Sequence, residues 1–477
     1  MFSRIFQHQT KTITWAGMIL AVSSILSGFL GVVRDFLLAQ RFKTGILDVY
    51  FAAFKIPDFI YNFLILGGIS VAFLPLFSEY FSKDKKEAWE FASNCLNVFL
   101  VLLILLCLLL FIFAPLLINW IAPGFALDQK ELATLLTRLL LLSPILFGLS
   151  AILSGVLQYF NKFLVYGFCP ILYNLGIIFG ILFLAPSFGI LGVCIGAVIG
   201  AFFHFSIQIP SAFHSGFSFK SILNFKDQKI KKVFTLMLPR AIGLAGQQIN
   251  LIIITAIAST LTVGSIAIFN FANNIQGFPV GVIGLSFAIA AFPSLSKSWA
   301  EKERAEFLNK FSLTFRQIVL LTIPVSIFVF IFKNPIVDII LRHGHFSAEA
   351  AKLTSACLGL FALNIFFSSL ILLLVRSFFA LQDTKTPTLI SVISVGFNIA
   401  LSFLLTRILL PGNAIFSSLG IGLQAFLRGN LGLEGIRNIS VLGLPLAISL
   451  AAFFQFSLLT FFLKKRIGLT IRSKILS

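Results

Sequence analysis

Long runs of apolar residues alternate along the chain with short polar or basic segments. A helix that crosses a bilayer needs roughly 20 largely apolar residues, whereas a strand of a transmembrane barrel needs about 10 residues of alternating polarity. The runs fit the first pattern and not the second. They predict an all-α polytopic membrane protein with about 12 transmembrane helices, at residues 13–33, 48–76, 92–119, 133–157, 164–185, 188–209, 233–258, 264–294, 312–332, 351–379, 388–410 and 439–463.

The two halves of the chain carry a repeated motif. The phrase A-x-x-P-x-x-S ends an apolar, glycine-containing run at residues 72–78 and again at residues 290–296, and a charged loop follows each copy. We therefore predict two pseudo-symmetric six-helix lobes, because paired halves around a midplane cavity are common in proteins that move solutes across a bilayer. The predicted domains are the N-terminal lobe 1–210, a cytoplasmic basic linker 211–232, the C-terminal lobe 233–463 and a basic cytoplasmic tail 464–477.

Two segments between the predicted spans have a mixed character. Residues 210–232 combine lysines with Phe213, Phe217 and Phe219, which predicts a short amphipathic helix at the membrane interface and a flexible connection between the lobes. Residues 415–427 form an apolar run that is too short to span a bilayer. A surface helix on the outer leaflet is predicted there, with a re-entrant segment or a thirteenth span as the alternatives.

Composition and charge agree with a membrane protein. The chain is 58% hydrophobic and 11% charged, with a mean hydropathy of +1.02, which is far too apolar for a soluble domain of this size.

The net charge is +19, and the basic residues concentrate in the loops that would share one side with the N-terminus. Cytoplasmic loops carry such an excess, so both termini are predicted to be cytoplasmic. The surplus positive charge indicates binding to anionic membrane lipids and no nucleic acid partner.

Charged residues cluster at the junction of the first two predicted spans. An ionisable side chain inside a span costs about 2.5 to 3.5 kcal/mol on insertion scales, so each one needs a partner or a function. Arg34 and Asp35 lie at the outer end of the first span and Asp48 opens the second. Arg34 and Asp35 are candidates either for a local ion pair or for part of a binding site.

The second predicted span carries a polar stripe. Lys55 and Asp58 are three residues apart, Asn62 follows four residues later, and Asp48 precedes Lys55 by seven. These spacings place all four on one helical face. Lys55, on a stripe with two acids, is the charge that simple snorkelling to the interface explains least well.

The remaining polar groups within or beside the spans are mostly cationic or neutral. The candidate binding residues in this set are Arg240, Asn274, Gln276 and Arg376, whereas Arg138 and Arg316 lie close enough to a boundary to reach water. Cations outnumber acids at depth. A hydrated cavity with surplus positive charge attracts an anion such as phosphate or pyrophosphate, because Arg and Lys bind phosphate oxygens by charge-assisted hydrogen bonds.

Prolines and glycines recur in equivalent spans of the two halves. Pro57 and Pro75 lie in the second span, and Pro279 and Pro293 lie in the eighth. Proline interrupts the backbone hydrogen-bond ladder of a helix. These two spans are therefore expected to bend, either as moving gates or as static kinks.

Motifs for catalysis or metal binding are missing from the sequence. It contains no Walker A motif, no G-x-S-x-G and no H-E-x-x-H, and its five cysteines occur singly in or beside apolar runs. We predict no catalytic residue, no metal site and no cofactor. The protein is expected to be a transporter and not an enzyme, and an ion gradient, the membrane potential or the gradient of its substrate would drive it.

Several motifs resemble those of a known family. Arg34-Asp35, residues 48–57 (DVYFAAFKIP) and residues 72–75 (AFLP) resemble the signature R-D…D-A-F-x-A-A-F-K-I-P-N…A-F-V-P of MurJ/MviN proteins, the lipid II flippases of peptidoglycan synthesis. Further matches are residues 122–125 (APGF), 278–282 (FPVGV), 293–296 (PSLS), 382–387 (QDTKTP) and 443–447 (GLPLA). The chain differs from the family pattern at Gly28, Tyr61, Leu66 and Asn274, and it lacks the two extra C-terminal helices of many relatives.

The resemblance implies the fold of the multidrug/oligosaccharidyl-lipid/polysaccharide exporter superfamily, in a bacterial inner membrane. The implied function is alternating-access movement of lipid II, a polyprenyl-pyrophosphate-linked precursor, from the inner to the outer leaflet. Arg34 and Lys55 would bind the pyrophosphate, Asp48 would orient them, and Asn62, Asn274 and Gln276 would contact sugar or peptide, with Arg240 and Arg376 adding positive charge. Alternatives are another glycan-lipid or ion-coupled drug exporter, or a non-transporting scaffold for cell-wall synthesis. Other cell-wall synthesis proteins are candidate partners.

Overall fold

A computed structural model describes residues 13–412 and 417–467 of the chain. Helices and turns account for the regular structure of this described part, and it contains no β-strand. The all-α prediction is thus confirmed. The helices of the first half are α1 (Ile13–Arg41), α2 (Thr44–Ala53), α3 (Lys55–Ile60), π1 (Tyr61–Ile69), α4 (Ser70–Lys83), α5 (Lys85–Ile121), α6 (Leu127–Leu140), α7 (Leu142–Tyr159), α8 (Phe163–Phe179), π2 (Gly180–Leu184), α9 (Ala185–Phe188), α10 (Ile190–Ser206) and α11 (Gln208–His214).

The second half is equally helical. Its elements are α12 (Gln228–Ser259), α13 (Ser265–Pro279), π3 (Val280–Leu285), α14 (Ser286–Ala300), α15 (Arg304–Ile331), α16 (Lys333–Ile340), α17 (Ala348–Ala380), α18 (Lys385–Ile408), α19 (Ser417–Leu431), a 3₁₀ turn (Ser440–Leu442) and α20 (Gly443–Ile467). Helix α19 covers most of the ambiguous run at residues 415–427, and its position relative to a membrane stays a prediction.

Ten helical segments in the described residues are long and apolar enough to cross a membrane. They are Gly17–Arg41, Lys85–Ile121, Leu127–Tyr159, Phe163–Phe188, Ile190–His214, Ser265–Ala300, Arg304–Ile331, Ala348–Ala380, Lys385–Ile408 and Ser440–Ile467. Each overlaps one of the twelve predicted spans. The other two predicted spans are also helical, in α2 to α4 and in α12, but the first is interrupted and the second has a shorter apolar stretch, Ala245–Ser259.

The chain forms two compact units. Unit 1 holds the described residues up to Phe42 together with Ile46–Ala256, and unit 2 holds Lys43–Gly45 and the described residues from Ile257 onwards. Unit 1 is organised around an aromatic core in which Phe73 stacks on Phe77 and Phe91, with ring centroids 5.4 and 5.6 Å apart. Unit 2 has its own core around α14, α15, α17 and α20. The border between the units lies inside α12, and the proposed division at the 211–232 linker stays a prediction.

Proline and π-helix coincide where the second and eighth spans were expected to bend. Pro57 precedes π1 and Pro279 precedes π3, so both halves carry a π-helical segment in the equivalent span. Pro57 has no N–H to offer the carbonyl of Ala53, and the Thr137 hydroxyl of α6 donates to that oxygen instead, at 3.2 Å. Each interruption is therefore built into the sequence, and the carbonyl freed by Pro57 is satisfied by a neighbouring helix.

The linker differs from the prediction. Helix α11 ends at His214, and residues 217–227 are not helical, so the expected amphipathic helix does not extend through this segment. The side chains of Asn94 and Asn97 on α5 donate hydrogen bonds to linker carbonyls instead, at 2.8 to 3.1 Å. Three ion pairs, Lys220–Glu90, Lys229–Glu87 and Lys232–Glu79, add to this attachment at 2.7 to 3.0 Å. Phe217, which was expected in the headgroup region, is buried.

This attachment can be tested by hydrogen exchange. We expect N94A and N97A each to raise the exchange rate of amides in residues 217–227, because each removes hydrogen bonds worth about 0.5 to 1.5 kcal/mol. Ser82→Ala is the matched control, because the Ser82 hydroxyl donates to the Glu79 carbonyl of its own helix and not to the linker. Unchanged exchange in both asparagine variants would contradict the attachment.

The QDTKTP motif forms a helix cap. The Asp383 carboxylate accepts hydrogen bonds from the Thr386 N–H at 3.0 Å and from the Thr386 hydroxyl at 2.7 Å, at the start of α18. Partial burial opposes ionisation of this carboxyl, but the Thr386 hydrogen bonds and the positive charge of Arg466 outweigh it and lower the pKa of Asp383. The motif thus fixes the first turn of α18.

Candidate functional site

Arg34 is held inside unit 1 by an ion pair and an amide. Its Nε and Nη2 atoms donate to Asp35 Oδ1 at 3.0 and 2.8 Å, and its Nη1 atom lies 3.5 Å from Asn174 Oδ1. The local ion pair considered from sequence therefore forms. Asp35 is almost fully buried, whereas 21% of the Arg34 side chain stays exposed. The guanidinium is thus fixed in direction, on a side chain that is not fully buried.

Asn174 connects α8 to α1 and completes the setting of Arg34. Its amide nitrogen donates to the backbone oxygen of Ser27 at 3.2 Å and to the Ser27 hydroxyl at 3.1 Å, while its oxygen faces Arg34. An amide in an apolar span is expensive unless it is hydrogen-bonded. Asn174 is the single Asn of the predicted fifth span, which was the sequence signal for this contact. It was not among the predicted site residues.

The four residues of the predicted polar stripe are divided among three successive elements of unit 1, and their sharing of one helical face stays a prediction. Lys55 and Asp58 are half-buried on α3 and attract each other electrostatically, and Asp58 also interacts with the charge of Arg34. Asn62 donates through its amide to the Asp58 backbone oxygen at 2.9 Å. Asp48 lies on α2 and is buried, at 4% exposure. Arg34, Lys55 and Asp58 therefore form one electrostatically connected group.

Two neighbouring cavities lie between the helices of unit 1. The first has a volume of about 170 Å³ and the second about 140 Å³. Tyr61, Phe147, Pro170 and His204 line both, and Asp58 lines the second. Tyr61 occupies one of the positions at which the chain departs from the family pattern, so this departure places a phenol in the cavity wall.

One predicted site residue of unit 2, Gln276, belongs to an amide network. Gln276 is buried; its nitrogen donates to Asn273 Oδ1 at 3.1 Å and its oxygen accepts from Asn364 Nδ2 at 3.1 Å. Ser368 donates to Asn364 Oδ1 at 2.8 Å and extends the network. Asn274 is exposed and Arg376 is half-buried. The amide of Gln276 thus already links α13 to α17.

Two further arginines were named from sequence. The Arg240 side chain lies outside the described residues. Arg138 donates through Nε to the Phe111 carbonyl at 3.1 Å and sits over the Phe111 ring, 4.8 Å from its centroid. This contact ties Arg138 to α5, and the expectation that its side chain reaches water at a membrane boundary stays a prediction.

No group of three or more His, Cys, Asp or Glu side chains within the described ranges could hold a metal ion. All five cysteines are free and buried. Unit 1 holds two half-buried cations, Arg34 and Lys55, and three acids, Asp35, Asp48 and Asp58. Arg and Lys can bind an anion by charge-assisted hydrogen bonds, in competition with these carboxyls.

Solved structures share this architecture. A multidrug resistance MATE family transporter of the MOP superfamily, in an inward-facing conformation, superposes with a TM-score of 0.74 at 13% identity, covering 94% of this chain and 98% of that one. The chain therefore shares the all-α polytopic membrane fold of this MATE family protein.

The family is narrower than the fold. A lipid II flippase MurJ in an inward closed conformation superposes with a TM-score of 0.77 at 26% identity, covering 94% of this chain and 87% of that one. The probable lipid II flippase MurJ of Buchnera aphidicola subsp. Schizaphis graminum is 28% identical over 461 residues, which cover 94% of this chain and 90% of the relative. The family model described as "Lipid II flippase MurJ" matches residues 38–423. The chain belongs to the MurJ family.

Proposed function

We propose that the protein is a flippase that moves lipid II, a polyprenyl-pyrophosphate-linked peptidoglycan precursor, from the inner to the outer leaflet by alternating access. Membership of the MurJ family supports a transporter of this kind and not an enzyme. The observation that carries the substrate class is the Arg34 guanidinium, held by Asp35 and Asn174 within the helices and still partly exposed. A fixed, accessible guanidinium suits the oxygens of a pyrophosphate.

The proposed roles follow the position of each residue. Arg34 and Lys55 bind the pyrophosphate, and the buried Asp48 orients this part of unit 1. Asn62 contacts sugar or peptide on the same unit. In the second half, Asn274 and Gln276 contact the same groups, while Arg240 and Arg376 add positive charge. Contact with Gln276 requires its amide to exchange a partner in the Asn273–Asn364 network.

Location and further partners are also part of the proposal. The distribution of Lys and Arg supports a multi-pass protein of the bacterial inner membrane with both termini on the cytoplasmic side. The same basic loops would bind anionic lipid headgroups. Two six-helix lobes joined near residues 211–232, and contacts with other cell-wall synthesis proteins, complete the expected organisation.

A leaflet-accessibility assay tests this function. In cells depleted of the protein, lipid II should become inaccessible to a probe that acts only on the outer leaflet, and restoring the chain should restore access. Normal access in depleted cells, with loss only of drug resistance or of a surface polysaccharide, would identify a different exporter. Restored wall synthesis by variants that lack the unit 1 cations would indicate a scaffold.

A further inference from the structure

The second cavity of unit 1 combines an acid with neutral polar groups. Asp58 lines it together with Tyr61, Tyr173, His204 and Ser143. The hydroxyl oxygen of Ser143 is buried, and it has no hydrogen-bond partner within the part of the chain that the structure describes. Most of the remaining lining is apolar, from Phe54, Leu140, Phe147 and three prolines, so the polar atoms of the cavity are confined to this small group. A buried hydroxyl without a protein partner in a cavity that also holds a carboxyl is a place for water. The cavity is therefore suited to hold water beside the Asp58 carboxyl.

His204 is held in one state by a chain of hydrogen bonds. Ser154 donates to Gln208 Oε1 at 2.9 Å, Gln208 Nε2 donates to the Ser150 hydroxyl, and Ser150 lies 2.8 Å from His204 Nδ1. Since Ser150 accepts from Gln208, its own proton is available to Nδ1, which places the imidazole proton on Nε2. This arrangement favours neutral His204 and leaves Asp58 as the group in the cavity that can gain a proton.

The charges that act on Asp58 come from its own helix α3 and from α1. Arg34 of α1 and Lys55 of α3 are both positive and act on its carboxylate, while Asp35 pairs with Arg34. Tyr61 of π1, Tyr173 of α8 and His204 of α10 are the other titratable groups of the cavity, and α6 and α7 contribute Leu140, Ser143, Pro144 and Phe147. Burial opposes ionisation of Asp58, and the attraction of these two cations counters it, so the ionised form depends on both charges.

From this geometry we propose that the cavity is a proton-binding site coupled to anion binding: when a pyrophosphate occupies Arg34 and Lys55, Asp58 takes up one proton from cavity water. One O–H bond forms on the carboxyl and one O–H bond of the donating cavity water breaks. That water regains a proton from bulk solvent, so the net reaction transfers one proton from a bulk hydronium ion to Asp58. An anion that neutralises both cations would otherwise leave a buried carboxylate without compensation. Ionisable side chains within spans are frequent components of proton relays.

The coupling is reciprocal. If the anion favours protonation of Asp58, protonation strengthens anion binding by the same factor. The identity of the anion as a lipid pyrophosphate rests on the proposed function. Proton uptake depends only on binding of a pyrophosphate group at Arg34 and Lys55, so the two ideas can fail separately.

Infrared difference spectroscopy of the purified full-length chain tests the proposal, with inorganic pyrophosphate as the probe. We expect addition of pyrophosphate to produce a carboxylic-acid C=O band, which D58N loses and D58E retains. D128N, which removes an exposed acid at the start of α6, and H204N should both keep the band. A band that survives in D58N, or its absence in wild type that demonstrably binds pyrophosphate, would overturn the inference.

Binding measured against pH gives a second readout. The pyrophosphate Kd of D58N divided by that of wild type should change by up to about tenfold per pH unit across the titration of Asp58. Titration of pyrophosphate itself is common to both proteins and cancels in this ratio. A Kd ratio that is constant with pH contradicts the coupling. If the ratio changes with pH but the wild-type protein does not flip lipid II, only the proposed function is contradicted.

Discussion

Arg34→Ala is expected to abolish lipid II flipping while the protein still inserts into the membrane. Asp35 and Asn174 fix the guanidinium, and 21% of the Arg34 side chain is exposed. We therefore expect the group to bind phosphate oxygens without reorganisation. Loss of one partner of a buried, hydrogen-bonded charge pair costs about 2 to 5 kcal/mol. At about 1.4 kcal/mol per factor of ten, flipping should fall roughly 30-fold or more. The measurement is the rate of lipid II translocation in proteoliposomes.

The effect on binding must be separated from an effect on folding. R34A leaves the buried Asp35 carboxylate without its partner, so the double variant R34A/D35N removes both charges and tests the loss of anion binding alone. R34K keeps the charge but loses the planar fork of the guanidinium, and we expect an intermediate rate. Arg342→Ala is the control, because Arg342 pairs with Asp338 at an exposed position. Wild-type flipping in R34A/D35N would refute the role of Arg34.

The largest expected effect on folding is at Gly196. Helices α8 and α10 approach closely along the glycines at 176, 180, 196 and 200, in the way that small residues allow within membranes. A Cβ on Gly196 would lie 2.5 Å from the Gly176 carbonyl oxygen and 2.5 Å from the Gly180 Cα. Both are backbone atoms, so the helices themselves must separate. We expect G196A to destabilise unit 1 by about 1 to 3 kcal/mol and G196V by more.

Thiol labelling during heating measures this effect directly. All five cysteines are buried, and Cys169 of α8 and Cys194 of α10 lie on the two helices that would separate. Labelling by a thiol-reactive dye should therefore begin at lower temperature in G196A and G196V than in wild type. Gly31→Ala is the matched control, since a Cβ at Gly31 of α1 meets no atom within 4 Å. Equal labelling curves for G196V and G31A would show that the close approach is not required.

The sequence predicted the helical class and most helix positions, because these depend on local properties. An apolar run of span length has to form its backbone hydrogen bonds within one helix when it enters a bilayer. The positions of Pro57 and Pro279 indicated in the same way where helical geometry would be interrupted. The linker was predicted less well: its lysines and phenylalanines suggested an amphipathic helix, but residues 217–227 are not helical, and Asn94 and Asn97, more than 100 positions away, donate hydrogen bonds to their carbonyls.

The sequence alone determined that this chain is a helical membrane protein with unusual charges in its first two spans, since length, hydropathy and spacing along one helix fix those properties. Only the tertiary structure shows which residues surround these charged side chains. It joins Asn174 to Arg34 across 140 positions, and it places His204 in the same cavity wall as Asp58. Such contacts depend on which helices pack together, and packing is a property of many distant residues acting at once. A single position in the sequence indicates only the local conformational preference of its own residue.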